Sequence, residues 1–342
     1  MSAIKINAAT LSSWIDSLIE KQKVIGVQAQ GDRFAFGPLA RAADLRLDYD
    51  VTILPPTSFF RPQKEVILSF HQNTGYESVV NNEPFILFGV HPYDMVAITQ
   101  IDEILSQVNY DIHYMTRRKN TTIVVADVQK VAPDVFAGYM GTSYIEDGYD
   151  VLVTKIGDDY IVDAGTDKGE ALMKDVADAP QAGESWLEQR KLVWEYNKQR
   201  LRKHELRAES SKWPVLLEDA YEHPVWEERA KLCFSCGSCN LVCPTCYCFD
   251  IRDDVNWDIS SGVRIRVWDS CMLSDFAAVA GHTNFRKDKA ARFRHRYYRK
   301  GKYVPSKIGG QIACVGCGRC ITACVANIAN PVEVFNRLAE DK

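Results

Sequence analysis

The chain has 342 residues, of which 46% are hydrophobic and 25% are charged, and its formal net charge is −4. This composition excludes a disordered chain, because enough apolar surface is available to build a core. The small net charge gives no support for a nucleic-acid or membrane-surface partner.

The opening segment and the hydropathy of the chain indicate a cytoplasmic protein. The segment MSAIKINAATLSSWIDSLIEKQK has neither the basic start nor the apolar core of a signal peptide. No segment approaches the roughly 20 apolar residues that a membrane-spanning helix needs. We therefore expect a cytoplasmic location and no membrane span.

Residues 1–182 have the pattern of a mixed α/β domain. Apolar residues at helical spacing predict a first helix, and these are Leu11, Trp14, Ile15, Leu18 and Ile19. Short β-branched or aromatic runs predict strands over 48–54, 66–70, 84–90 and 121–128. The pattern then predicts a helix over 95–105, and a hairpin over 150–165 that turns at Gly157–Asp158.

The rest of the chain is dominated by its cysteines, all eleven of which lie between Cys233 and Cys324. Before them, residues 183–230 predict helices interrupted at Pro214 and Pro224. The predicted fold class is α+β, with an N-terminal mixed α/β domain followed by a mostly helical two-cluster ferredoxin-like domain. The predicted boundaries are 1–182 for the first domain, 183–230 for a helical linker and 231–342 for the ferredoxin-like domain.

Two cysteine runs, CFSCGSCNLVC and CVGCGRCITAC, share the spacing C-x2-C-x2-C-x3-C. Such a run wraps a cubane 4Fe–4S cluster with three thiolates, and its fourth cysteine binds the other cluster. The predicted ligands are therefore Cys233, Cys236, Cys239 and Cys324 for cluster 1, and Cys314, Cys317, Cys320 and Cys243 for cluster 2. Zinc is the alternative, but zinc sites usually use pairs of C-x2-C. A disulfide scaffold does not suit a long chain with an odd number of cysteines.

The insert between the two motifs is expected to be helical and to pack around the clusters. Its basic segment FRKDKAARFRHRYYRKGK, residues 285–302, favours a solvated face or a counter-charge to anionic clusters and a partner, rather than nucleic-acid binding. The chain has neither a G-x-G-x-x-G after a strand nor a G-x-x-x-x-G-K-[ST]. We therefore expect this chain to bind no flavin or NAD, and no catalytic residue stands out.

Several segments resemble one protein family over nearly the whole chain. CFSCGSCNLVCPTCYCFDIRDDV, VRIRVWDSCM, AGHTNFRKDKAARFRHRYY and CVGCGRCITAC resemble the beta subunit of cytoplasmic NiFe hydrogenase/sulfur reductase and the A subunit of anaerobic sulfite reductase. LPPTSFFRPQKEVILSF, ILFGVHPYD and DGYDVLVT are similar to the same family.

This resemblance implies an electron-transfer subunit of a multisubunit cytoplasmic oxidoreductase. It would relay electrons through two 4Fe–4S clusters between a flavin- and NAD(P)-binding subunit and a catalytic or bifurcating partner. That partner would be a hydrogenase, a sulfite or sulfur reductase, or a heterodisulfide-reductase-linked complex. The alternative is a self-sufficient iron–sulfur enzyme with a substrate site in the N-terminal domain.

Three cysteines, Cys246, Cys248 and Cys271, remain after the eight cluster ligands. They are either buried thiols that pack against the clusters or three ligands of a third metal site, which would add a third iron–sulfur cluster.

The resemblance bears on the fourth ligand of that candidate third site. Members of the family carry cysteine at the position of Tyr93, and further cysteines near Val135 and Ala137, whereas this chain has none of them. In those proteins, the cysteine at position 93 would supply the fourth ligand. Here His91 or Asp94 would have to replace it, or the site would stay empty.

Overall fold

A computed structural model describes residues 3–341 of the chain. The N-terminal elements are, in chain order, β1 (Ile4–Asn7), α1 (Ala8–Lys21), β2 (Val24–Gln30), β3 (Arg33–Pro38), β4 (Lys64–His71), β5 (Gly75–Ser78), β6 (Phe85–Val90), α2 (Pro92–Leu105), α3 (Ile112–Asn120), β7 (Thr121–Ala126), α4 (Ala137–Met140), β8 (Val151–Ile156), β9 (Asp159–Ala164) and α5 (Asp167–Leu172). The later elements are α6 (Glu184–Arg200), α7 (Trp213–Leu216), α8 (Val225–Leu232), α9 (Ser238–Leu241), β10 (Phe249–Val255), β11 (Ser261–Trp268), β12 (Ala278–Val279), β13 (Thr283–Asn284), α10 (Lys289–Tyr298), α11 (Arg319–Thr322) and α12 (Pro331–Glu340).

A mixed sheet organises the N-terminal part and, within the described residues, has seven strands in the order β1-β9-β8-β7-β6-β2-β3. The central strands β8, β7, β6 and β2 are parallel, and the outer pairs are antiparallel. Strand β6 is buried along its length because both faces of the sheet are covered. Ile86 and Phe88 pack in the cluster that contains Trp14 of α1, while Leu87 packs with Ile98 of α2. The predicted mixed α/β character is confirmed.

Most predicted N-terminal elements are confirmed, and one predicted strand is wrong. The first helix, the strands around β4, β6 and β7, the helix α2 and the hairpin β8–β9 all form. Residues 48–54 form only an isolated bridge between Thr52 and Phe34. The reason is local, because the Asp50 carboxylate accepts from the Val51 N–H, and the Thr52 hydroxyl donates to the Leu54 carbonyl. Such side-chain bonds compete with strand pairing.

The insert between the cysteine motifs contains a β-hairpin, so its predicted helical character is wrong over 249–268. Strands β10 and β11 pair with each other, and β11 also pairs with β4 from the N-terminal part. Together with β5 they form a four-stranded antiparallel sheet. Glu65 of β4 accepts from Arg266 of β11 at 2.7 Å and from Arg117 of α3 at 2.5 Å, and all three side chains are buried. This sheet joins residues from both sides of the boundary predicted near residue 230.

Helices α7, α8, α10 and α12 form a second core around aromatic side chains. Trp213 of α7 stacks on Phe335 of α12 with ring centroids 3.7 Å apart. Helix α8 begins directly after Pro224, as predicted, whereas Pro214 lies in the first turn of α7, where proline is tolerated. No helix in residues 3–341 has the length and apolar character that spanning a bilayer requires.

Candidate metal centres

The two cysteine motifs adopt the same local structure. In the first, Gly237 takes a φ of +77° and caps α9, which carries Cys239. In the second, Gly318 takes a φ of +81° and caps α11, which carries Cys320. Helices α9 and α11 pack against each other, so the internal repeat of the sequence becomes two facing loops.

The second loop is seated so closely on the N-terminal part that glycine is required. A Cβ atom at Gly316 would lie 2.6 Å from the backbone nitrogen of Ala137, and one at Gly318 would lie 2.5 Å from the carbonyl oxygen of Asp134. Both residues also have positive φ, which side chains other than glycine adopt only with strain. The N-terminal part therefore helps to shape the second cysteine loop.

The structure brings the fourth cysteine of each motif towards the other motif. Cys243 lines one enclosed cavity together with Cys314, Cys317 and Cys320. Cys324 packs against the same apolar cluster as Cys233 and Cys239 of the first motif. This is the arrangement that exchanged fourth ligands need, and the ligand assignment itself stays a prediction.

Burial raises the pKa of four of the eight motif thiols, those of Cys239, Cys314, Cys317 and Cys320. It raises the pKa of Cys239 to about 11, and the pKa values of Cys314 and Cys317 to about 12. In contrast, Cys236 is exposed, and its hydrogen bond with Ser238 lowers the pKa of its thiol. Iron ligation requires thiolates, so cluster binding would release protons from the buried positions.

Two buried cations lie beside the motifs. The Lys300 ammonium is 3.1 Å from Cys243 Sγ and donates to the Thr245 hydroxyl at 2.5 Å. Arg296 is 2% exposed and donates through Nε to the side-chain oxygen Oδ1 of Asn240 at 3.0 Å, while its Nη1 lacks a hydrogen-bond partner. No carboxylate among residues 3–341 forms an ion pair with either cation. An unpaired buried charge is costly, and an anionic cluster with four thiolates would compensate both cations. The residues present therefore fit 4Fe–4S clusters.

The arrangement of the thiols does not suit zinc. A tetrahedral zinc site with bonds of about 2.3 Å needs sulfurs that converge on one ion. In the part of the chain that the structure describes, no three His, Cys, Asp or Glu side chains are arranged to hold a single metal ion. A cubane cluster, which carries its ligands on four separate iron atoms, does not need that convergence.

One face of the basic segment 285–302 packs against the cysteine motifs. Arg292, Arg296 and Lys300 recur every four residues along α10 and the π-helical turn that follows it, and all three are buried. Arg292 donates to the hydroxyl of Ser235 in the first motif at 3.1 Å. The predicted site residues do not include these three, although their helical spacing was a usable signal.

Replacing Lys300 with Met should lower the reduction potential of cluster 2. The cation favours the extra electron, and a Coulomb energy of about 1–3 kcal/mol at an effective dielectric constant of about 20 corresponds to roughly 40–130 mV for a one-electron couple. A redox titration followed by electron paramagnetic resonance measures the shift. Lys307→Met is the matched control, because Lys307 is exposed. Equal potentials in the two variants would contradict this role of Lys300.

The three remaining cysteines lie together. Cys246, Cys248 and Cys271 line one narrow cavity, and the Asn240 amide donates to Cys271 Sγ at 3.0 Å. Neither His91 nor Asp94 lines this cavity, so of the alternatives for the fourth ligand the structure places neither of these two side chains beside the three thiols.

The physical reason is that both side chains are already engaged elsewhere. His91 stacks on Tyr49 at 3.9 Å between centroids, and its Nδ1 lies 2.6 Å from the Tyr93 hydroxyl. Asp94 accepts from Arg319 of α11 at 2.6 and 2.7 Å. Burial, assisted by the nearby Arg319 charge, lowers the pKa of His91 well below its usual value.

Tyr93, Val135 and Ala137 share a single apolar cluster with Cys317. The positions at which the resemblance implies additional cysteines therefore converge beside the second motif, and none of them lines the cavity of Cys246, Cys248 and Cys271. In this chain that place is filled by packed apolar and aromatic side chains.

The comparisons with known proteins agree with the geometry of the site. Residues 232–328 match the family model described as a 4Fe–4S dicluster domain, so this region is an iron–sulfur domain. Over 99% of its length the chain is 31% identical to the beta subunit of sulfhydrogenase 2 from Pyrococcus furiosus, 99% of which is covered. The chain belongs to the family of sulfhydrogenase beta subunits, and the predicted family is thereby confirmed.

Proposed function

We propose that this chain is the electron-transfer subunit of a multisubunit oxidoreductase and relays electrons through two 4Fe–4S clusters. The observation that carries the proposal is the pair of buried cations, Lys300 and Arg296, set between two interleaved cysteine motifs without a carboxylate partner. When bound, the clusters supply one-electron chemistry. The residues of the chain hold them, exclude water and balance their charge.

The two sites differ in their access to solvent. Cys317 and Cys320 of the second motif are buried, whereas Cys236 of the first motif is exposed. Phe234, beside Cys236, is 72% exposed, and Leu232 is 63% exposed. Exposed apolar side chains around a cofactor edge are typical of a protein contact. We infer that electrons enter or leave the chain at cluster 1.

The proposed partners are a flavin- and NAD(P)-binding subunit and a catalytic subunit. The name of the similar Pyrococcus furiosus protein, subunit beta of a sulfhydrogenase, supports an assembly with a hydrogen- or sulfur-reducing catalyst. A self-sufficient enzyme is less well supported, because His91 and Asp94, the polar groups of the N-terminal motif HPYD, are buried in contacts with Tyr93 and Arg319.

Native extract should contain this chain in an assembly larger than the single chain, since a relay must bring its clusters near the cofactors of its partners. Size-exclusion chromatography under anaerobic conditions, with the chain detected by antibody, measures this. The purified chain alone, with its clusters intact, should neither oxidise a nicotinamide nucleotide nor reduce a sulfur substrate. Turnover by the isolated chain would contradict the relay function and favour the self-sufficient enzyme.

A further inference from the structure

The cavity lined by Cys246, Cys248 and Cys271 is not used by the two-cluster relay. Two of these cysteines follow α9 as a C-x-C pair, and the third follows β11 at the end of the insert hairpin. Cys271 is 5% exposed, and the other two are partly buried. The hairpin that pairs with β4 thus places Cys271, which is distant in sequence, beside the C-x-C pair.

The surroundings of the three thiols are rich in positive charge. Arg61 is 8% exposed, and its guanidinium donates to the Cys246 carbonyl at 2.5 Å. Arg61 lines an adjoining cavity that also contains Cys246 and Cys248. On the other side, Arg299 lines the cavity of the three thiols. The ion pairs of the described residues include no carboxylate partner for Arg61.

Neutral thiols that only filled space would leave Arg61 buried without a counter-ion. A buried guanidinium is tolerated when an anion lies within reach, and the cost of leaving it unpaired is several kcal/mol. Arg61 is a different cation from Lys300 and Arg296, which lie beside the two motifs. Its guanidinium binds the carbonyl of Cys246, in the C-x-C pair. The site therefore has its own excess of positive charge, as each of the two cysteine motifs does.

We propose that Cys246, Cys248 and Cys271 bind a third iron–sulfur cluster, whose negative charge Arg61 and Arg299 balance. Three thiolates from two separate segments can occupy three corners of a cluster. Asp269 lines the adjoining cavity with Cys246 and Cys248. Its Oδ1 accepts from the Ser270 N–H at 2.6 Å, and we assign its Oδ2 to the fourth corner. Soft thiolate ligands favour iron–sulfur clusters or zinc over hard cations, and the side chains are not arranged around a single ion.

The third cluster would adjoin cluster 2. Cys246 lies three residues after Cys243, and both residues line the adjoining cavity that also contains Arg61 and Cys248. The cluster would extend the proposed relay from the buried cluster towards the four-stranded sheet. Its existence does not depend on the identity of any partner.

Metal and sulfide analysis of the anaerobically purified full chain tests the proposal. Three clusters give about twelve irons per chain, whereas the two motifs alone give about eight. Fewer than eight would instead count against the two-cluster relay, so the two failures are distinguishable. A wild-type content of about eight irons, or stoichiometric zinc in addition to eight irons, would overturn the third cluster.

Variants of the chain provide a second, independent measurement. Cys248→Ala, which removes the thiolate, should remove about four irons and one electron paramagnetic resonance signal while the other two signals remain. Tyr247→Phe, between the two cysteines, is the matched control and should keep all three signals. An unchanged iron content and spectrum in Cys248→Ala would show that the thiols only pack.

Discussion

Replacing Cys243 with Ala should remove the cluster held by Cys314, Cys317 and Cys320 and leave the sequence-adjacent cluster in place. Cys243 follows α9 of the first motif, yet it lines the cavity of the second motif. It is also the thiol closest to the buried Lys300 ammonium. Because a cubane cluster that loses one of four thiolates is labile, we expect the loss of about four irons per chain. Iron analysis and electron paramagnetic resonance of the anaerobic protein measure the effect.

Double variants identify the cluster that is lost. If Cys243 and Cys320 bind the same cluster, the variant lacking both should lose no more iron than either single variant. If Cys243 and Cys236 bind different clusters, their combined replacement should lose about eight irons. The reverse pattern, with additive losses for Cys243 and Cys320, would show that the fourth ligands are not exchanged.

Replacing Asp94 with Asn should destabilise the fold by about 3–5 kcal/mol, because it leaves a charged guanidinium buried without its partner. Asp94 is fully buried and binds Arg319, which also donates to the Thr52 hydroxyl at 2.9 Å and the Thr52 carbonyl at 2.9 Å. Arg319 lies between Gly318 and Cys320, so the same change should loosen the second cysteine loop. Denaturant titration of the anaerobic protein measures the free energy of unfolding. The absorbance of the bound clusters measures whether the second cysteine loop still holds its cluster.

A surface ion pair supplies the control for this variant. Asp48 binds Arg46 at 2.7 Å with much of its side chain exposed, and Asp48→Asn should cost less than about 1 kcal/mol. Combining Asp94→Asn with Arg319→Met should recover part of the loss, since an apolar side chain needs no counter-ion. If Asp94→Asn were no more harmful than Asp48→Asn, the pair would not anchor the loop.

The parts of the fold that depend on local pattern could be predicted from the sequence. The buried runs of β6 and β7, the β8–β9 hairpin and the cysteine motifs all carry their signal within a few neighbouring residues. The alternation in VRIRVW was an equally local signal for β11, but the length of the insert favoured a helical interpretation. The strand predicted over 48–54 failed because side-chain hydrogen bonds of Asp50 and Thr52 replaced the pairing that the pattern alone suggests.

The parts of the site that depend on distant contacts could not be predicted. Asp94 and Arg319 are 225 positions apart, and no spacing rule connects them. The burial of Arg61 depends on the path of the insert, which brings Trp268 to donate to its backbone carbonyl at 2.8 Å. One part was accessible in principle, because the recurrence of Arg292, Arg296 and Lys300 predicts a single helical face.

The pairing of β11 with β4 also affects how the chain is made. Glu65 and Arg266, which bond across these strands, are 201 positions apart, and a ribosome needs about 10–40 s to synthesise that length. Until β11 emerges, one edge of β4 has no hydrogen-bonding partner, and an unpaired edge is a site of aggregation. Contacts of such long range also slow folding. We therefore expect soluble yield to fall steeply when expression is fast, and to depend on chaperones that bind the nascent N-terminal part.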